Sequence, residues 1–178
     1  MNSLQVVSLT LLLAAAASAQ GLKLGKCPQP ATVVLPLQYL GKWYGIQKLP
    51  TTFQKGQCST AVYTLKSPGV IGVLNSELFD ISKGTATVKD PAEPAKLEVS
   101  FSKDSPPGPY WVLSTDYQGH TLVYSCREVG LFHRELAWIM SREPTLPEAT
   151  VQELRTSEWT YRTSLQDSGC NLMQLCAK

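Results

Sequence analysis

Few side chains in this chain have the type and spacing to do chemistry. Five cysteines stand at positions 27, 58, 126, 170 and 176, and two histidines at 120 and 133. There is no C-x-x-C, and the cysteine spacings match no zinc site. G-x-S-x-G, H-E-x-x-H and the P-loop are absent. His120 sits beside a turn and His133 in a loop, so they make neither a metal pair nor a catalytic dyad. The residues point away from an enzyme: no catalytic group, no metal and no cofactor is expected.

The cysteines take their meaning from the start of the chain. Leu9 to Ala17 is a continuous apolar run, and Ala17-Ser18-Ala19 follows with the small-x-small pattern of a cleavage site. This reads as a signal peptide over residues 1–19, cut before Gln20. The run is too short to span a bilayer. A secreted, extracellular protein is expected, with most of its cysteines paired and one left over. Asn75-Ser76-Glu77 and Asn171-Leu172-Met173 both fail as sequons, so no N-glycosylation is expected. Apolar residues make up 43% and charged residues 17%, and the net charge is +2. That balance fits one ordinary globular domain over residues 20–178 and argues against a nucleic-acid partner.

The elements that must position any site are short strands. Lys26 to Leu37 is Pro-rich and reads as an irregular arm, with a short helical turn over Leu37 to Leu40. Strands are predicted at Lys42–Leu49, Gln57–Leu65, Val70–Phe79, Gly84–Val88, Lys96–Phe101, Tyr110–Asp116, Thr121–Cys126 and Glu135–Ser141, with a tight turn at Gln118-Gly119. The fifth alternates most clearly: Leu97, Val99 and Phe101 on one face, Glu98, Ser100 and Ser102 on the other. The period then changes. Thr145 as cap, Pro147 in the first turn and Glu148 three places after the cap announce a helix over about 146–157. A further short strand is expected near Trp159–Thr163. Eight regularly spaced strands followed by one helix predict an all-β, eight-stranded antiparallel up-and-down barrel over about 42–141, with the helix packed outside and a tail running to 178. Such a barrel has room inside for one small ligand.

Gly41-Lys42-Trp43-Tyr44, Thr115-Asp116-Tyr117 and Arg142 then fall in order. Together they resemble the signature of the lipocalin family. Longer stretches resemble one lipid-carrying branch of it, among them Gly25-Lys26-Cys27-Pro28, Leu49-Pro50-Thr51-Thr52-Phe53, Glu93-Pro94-Ala95-Lys96-Leu97-Glu98-Val99 and Leu122-Val123-Tyr124-Ser125-Cys126. The resemblance implies that Gly41, Trp43, Tyr44, Thr115, Asp116, Tyr117 and Arg142 build the closed end of the barrel, with the arginine packed across the Trp43 ring.

It also implies an extracellular carrier of a small hydrophobic ligand, a fatty acid such as arachidonic acid or a steroid such as progesterone. The ligand would be lined by Tyr39, Tyr63, Phe101, Tyr110 and Trp138. Glu77 either points inward as a rare polar group or is an ordinary solvated strand residue. The resemblance implies a Cys27–Cys126 disulfide and one from Cys58 to the tail. The Asp-Ser-Gly-Cys context favours Cys170, counting from the helix favours Cys176, and Cys58–Cys170 is the expectation. The apolar run Val129-Gly130-Leu131-Phe132, with Val129, Leu131 and Phe132 as its large side chains, is expected at the mouth, touching a membrane or a lipoprotein particle. This makes a docking module the alternative function. One branch of the family isomerises prostaglandins with a free cysteine; Cys58 is the candidate here, and pairing would remove it.

Overall fold

The structure, a computed structural model, describes residues 22–34, 37–49, 58–77, 80–156 and 166–167. Among these residues lie ten strands: β1 (Leu22–Leu24), β2 (Gly41–Lys48), β3 (Thr60–Ser67), β4 (Val70–Glu77), β5 (Asp80–Val88), β6 (Lys96–Ser100), β7 (Gly108–Thr115), β8 (His120–Val129), β9 (Phe132–Ser141) and β10 (Gln166–Asp167). One helix, α1, spans Glu148–Thr156, and a 3-10 turn spans Leu37–Tyr39. From β2 to β9 each strand neighbours the next in chain order, and β9 returns to pair with β2 from Tyr44↔Ser141 to Lys48↔Trp138. The sheet is therefore a closed antiparallel barrel of eight strands, as the sequence implies. Closure leaves no unpaired edge among them.

The described residues form two compact units. The larger holds residues 30–125 and those from 136 onward. Alternate side chains of its strands point inward, and Trp43, Ala61, Tyr63, Ile71, Val73, Ala86, Leu97, Val112, Val123 and Met140 make one buried cluster. On the outer side, Ile46, Leu122 and Ile139 pack against Val151 and Leu154 of α1. Burying each such aliphatic side chain is worth about 1.5–3 kcal/mol. Arg155 Nε adds a hydrogen bond to Gln47 Oε1 at 2.7 Å.

The smaller unit holds residues 22–29 and 126–135. In it β1 pairs with the start of β9, Leu24 opposite Phe132, and Cys27 is disulfide-bonded to Cys126. Gly25 N donates to Leu131 O at 2.9 Å. Lys23 pairs with the buried Glu135, and His133 Nδ1 bonds Gly25 O at 2.9 Å.

Several boundaries differ from the sequence expectation. The helix starts at Glu148 rather than at Leu146, and Val151 N bonds Pro147 O at 3.1 Å. The reason is steric: a residue before proline is pushed out of the α region, so Leu146 is excluded and Thr145 is not the cap. The fourth barrel strand, β5, begins at Asp80 because Asp80–Lys83 pairs with Leu74–Glu77, although those residues lack clean alternation. The run Val129–Phe132 is the tip of a tight hairpin rather than a loop, since β8 continues to Val129 and β9 begins at Phe132. The strand expected near Trp159–Thr163 lies outside the described residues, as does the expected signal peptide over residues 1–19.

At one end of the barrel Arg142 lies across the buried Trp43 ring and ties three backbone segments together. Gly41 has φ +98°, a left-handed conformation that suits glycine, and a Cβ there would stand 3.3 Å from Arg142 Nη1. The guanidinium lies 3.7 Å from the centre of the Trp43 ring. It donates to Tyr117 O, Lys42 O and Gln38 O at 3.1, 2.9 and 2.6 Å. The Thr115-Asp116-Tyr117 turn is prepared for this: Asp116 Oδ1 accepts the Gly119 and His120 N–H groups, both at 2.8 Å, and Thr115 Oγ1 accepts Tyr117 N at 2.9 Å. Lysine offers one point charge in place of this planar fork. Arg142→Lys should therefore destabilise the protein by about 1–3 kcal/mol in urea unfolding, with far-UV circular dichroism unchanged.

Candidate functional site

The interior site is built upward from Trp43. Its indole N–H donates to Tyr39 O at 2.9 Å, which fixes the 3-10 turn and aims the Tyr39 ring inward. β3 brings Tyr63 to the same level, and β7 brings Tyr110 beside Val112. The Tyr39 and Tyr63 rings lie 5.6 Å apart, and those of Tyr63 and Tyr110 lie 6.0 Å apart. The Tyr110 hydroxyl joins the other two, at 2.9 Å from Tyr39 Oη and 2.7 Å from Tyr63 Oη. Buried hydroxyls need partners, and these three supply one another. Burial raises the Tyr39 hydroxyl to about 12 despite its bonds to Tyr110 and Thr121. Burial also drives Tyr63 and Tyr110 well above 10; the neighbouring Tyr39 pushes both the same way, while the hydrogen bond from Tyr110 draws Tyr63 partly back. All three therefore stay neutral donors and acceptors at any physiological pH.

Further along β2 the interior changes character. A β-bulge between Gly45 and Gln47 sends both Ile46 and Gln47 outward, toward α1, and returns Lys48 to the inner face opposite Trp138. Trp138 packs against the interior cluster. Lys48 Nζ reaches across to Glu77 Oε1 at 2.6 Å, and both side chains are largely buried. Glu77 shares its face of β4 with Ile71 and Val73 of the cluster, and with Asn75 between. Asn75 Oδ1 is buried with no hydrogen-bond partner. Leaving such a carbonyl unpaired costs about 1–3 kcal/mol. Ala61 opposes Asn75 across the strand pair and fills little space above it.

Tyr39, Tyr63, Tyr110, Trp138 and Glu77 are thus brought onto one continuous inner surface. Phe101 is not drawn into that cluster. β6 ends at Ser100, and Phe101 is 47% exposed, its ring lying where a Cβ on Gly84 would stand, 2.7 Å from Cδ1. Glu77 is the inward group of the two alternatives. Lys48 and Asn75 are additions that alternation does not reveal. Counting in twos from Trp43 assigns Gln47 to the interior and Lys48 to the outside, and the bulge reverses both. A cavity of about 110 Å³ lined by Leu37, Tyr39, Leu40, Leu65, Gly69, Ile71 and Val88 is too small for a lipid. Cys58 is disulfide-bonded, which removes it as a thiol nucleophile, and its partner lies outside the described residues.

A closed eight-stranded antiparallel barrel with a buried apolar interior, an arginine laid across Trp43 and one helix on its outer side is lipocalin architecture. The chain belongs to the lipocalin family: the lipocalin-like domain matches residues 37–164. It resembles apolipoprotein D closely, being 45% identical to that of Mus musculus over 152 residues, 78% of each chain. Apolipoprotein D of Macaca fascicularis is 45% identical over 164 residues, 84% of this chain and 87% of that one. Among solved structures, insecticyanin from the tobacco hornworm Manduca sexta matches the fold with a TM-score of 0.72 at 21% identity, covering 86% of this chain and 90% of that one. Family and homology support a carrier of small hydrophobic ligands.

The tyrosine cluster predicts an alkaline limit. The unfolded chain releases tyrosine protons near pH 10 while the folded cluster holds them, so the folded state binds more protons and stability falls as pH rises from about 10 through about 12. Absorbance titration at 295 nm should show Tyr39, Tyr63 and Tyr110 silent until the protein unfolds. Smooth titration of every tyrosine near pH 10 with the fold intact would contradict the burial.

Proposed function

We propose that this chain is an extracellular, non-enzymatic carrier that holds one small lipid inside the barrel, with arachidonic-acid-like fatty acids and steroids such as progesterone as the candidate cargo. The observation that supports this reading best is the inner surface of Tyr39, Tyr63, Tyr110 and Trp138, continuous with aliphatic walls at Val73, Leu97, Val112 and Met140. Apolar surface of this kind binds by removing about 25 cal/mol per Å² from water. The Cys27–Cys126 disulfide fits an oxidising, extracellular setting, and a signal peptide over residues 1–19 would bring the chain there. Cys170 is the proposed partner of Cys58.

Trp138 tests the site directly. Delipidated protein titrated with arachidonic acid or progesterone should show saturable quenching of tryptophan fluorescence near one ligand per chain, much reduced in Trp138→Phe. Absence of binding of either ligand by any method would end the carrier reading.

A second reading is docking onto a lipoprotein particle or membrane. It is favoured by exposed apolar side chains in the smaller unit: Val129 at 55%, Leu131 at 78% and Leu24 at 76%, the last held beside Phe132 by β1. Large apolar side chains grouped in this way mark interaction surfaces. Leu131→Ser with Phe132→Ser should lower flotation with phosphatidylcholine vesicles several-fold and leave interior ligand binding unchanged. Equal flotation of the variant and the unaltered protein would remove this reading.

A further inference from the structure

We infer that the smaller unit is a docking surface for an anionic lipid bilayer, its apolar tip entering among the headgroups while Lys26, Arg127 and Arg134 meet the negative charge of the lipids. The inference rests on the docking reading and adds the lipid class that this surface selects.

The first observation is charge. The chain carries 16 Lys and Arg against 14 Asp and Glu. The smaller unit holds four of the basic residues, Lys23, Lys26, Arg127 and Arg134, and two of the acidic ones, Glu128 and Glu135. The formal excess of +2 therefore falls wholly in this unit, and the rest of the chain balances. Both carboxylates are engaged within it. Glu135 is buried and pairs with Lys23, and Glu128 Oε1 accepts Cys27 N at 3.2 Å. Lys26 and Arg127 are exposed and Arg134 is half-buried.

The second observation is register. Leu24 pairs with Phe132 and Leu22 with Arg134, so these four side chains share one face of the β1–β9 ribbon. Lys23, His133 and Glu135 take the other face, where His133 Nε2 lies 3.6 Å from Glu135 Oε1. β8 joins β9 through the two-residue turn Gly130-Leu131, with Gly130 at φ +62°, which puts Val129 and Arg127 on the face of Phe132 and Arg134. Exposed apolar side chains thus stand at the tip, and the arginines stand one pleat behind it on the same face. The Cys27–Cys126 disulfide and the β1 pairing fix the tip in this form. Apolar groups ahead of cations match the depth order of an anionic bilayer surface, with hydrocarbon beneath charged headgroups. A zwitterionic surface has no net charge and offers the apolar contact alone.

Flotation of the full mature chain, with its disulfides intact, tests this against two vesicles: pure phosphatidylcholine, and phosphatidylcholine with part replaced by phosphatidylserine. One basic residue at an anionic surface is worth about fivefold in partitioning, so an excess of two should give about 25-fold stronger binding to the second vesicle at about 0.1 M salt. Raising the salt to about 1 M, where screening acts within about 3 Å, should remove most of that enhancement. Arg127→Gln with Arg134→Gln should bring the enhancement to within about threefold of none, whereas Arg127→Lys with Arg134→Lys should keep it. Unchanged near-UV circular dichroism shows that each variant is folded, and the salt series needs no variant. Equal flotation of the unaltered protein with both vesicles overturns the anionic preference and leaves the docking reading standing. Undiminished binding of Leu131→Ser with Phe132→Ser to the phosphatidylserine vesicles also overturns the inference, since charge alone would then adsorb the chain. Flotation with neither vesicle removes the docking reading, and the inference with it.

Discussion

Everything in the barrel depends on how its end at Trp43 is closed. Arg142 is the last link after β9, and its guanidinium reaches three separate pieces of backbone: the 3-10 turn at Gln38, the start of β2 at Lys42 and the β7–β8 turn at Tyr117. A rolled sheet has an apolar lining but no intrinsic floor. Here the floor is an indole with a cation laid across it, and it positions Tyr39 through the indole N–H. The charge is tolerated because every direction of the fork meets a carbonyl or a π face.

Above that floor the interior has two polar sets with opposite accounts. The three tyrosine hydroxyls form a closed group, neutral over the physiological range and satisfied internally. They give shape and a weakly polar floor without demanding a ligand. The set at Lys48, Glu77 and Asn75 is charged, and its asparagine carbonyl lacks a partner. Between the two lie aliphatic and aromatic side chains.

Much of the fold was legible because the strands carry period-two patterning and Gly41, Trp43, Thr115, Asp116, Tyr117 and Arg142 stand at family spacing. Barrel closure, the outer helix and the Cys27–Cys126 disulfide agree with that reading. The failures are local and have named causes. Pro147 delays the helix, cross-strand pairing extends β5 into an unpatterned stretch, and β6 ends one residue before Phe101. The inward turn of Lys48 was invisible because a bulge leaves no period-two trace, and lysine by type reads as surface.

The sequence by itself determined the class of the protein. Alternation, the signature residues and the cysteines specify a stapled barrel, since each is a property of neighbours along the chain or of residue type. Only the tertiary structure decided what the interior presents. Whether Glu77 faces solvent or cavity, whether Lys48 meets it, and whether three hydroxyls find one another depend on register and bulges across strands distant in the chain. A one-residue slip turns a side chain to the opposite face, and no local pattern records that choice.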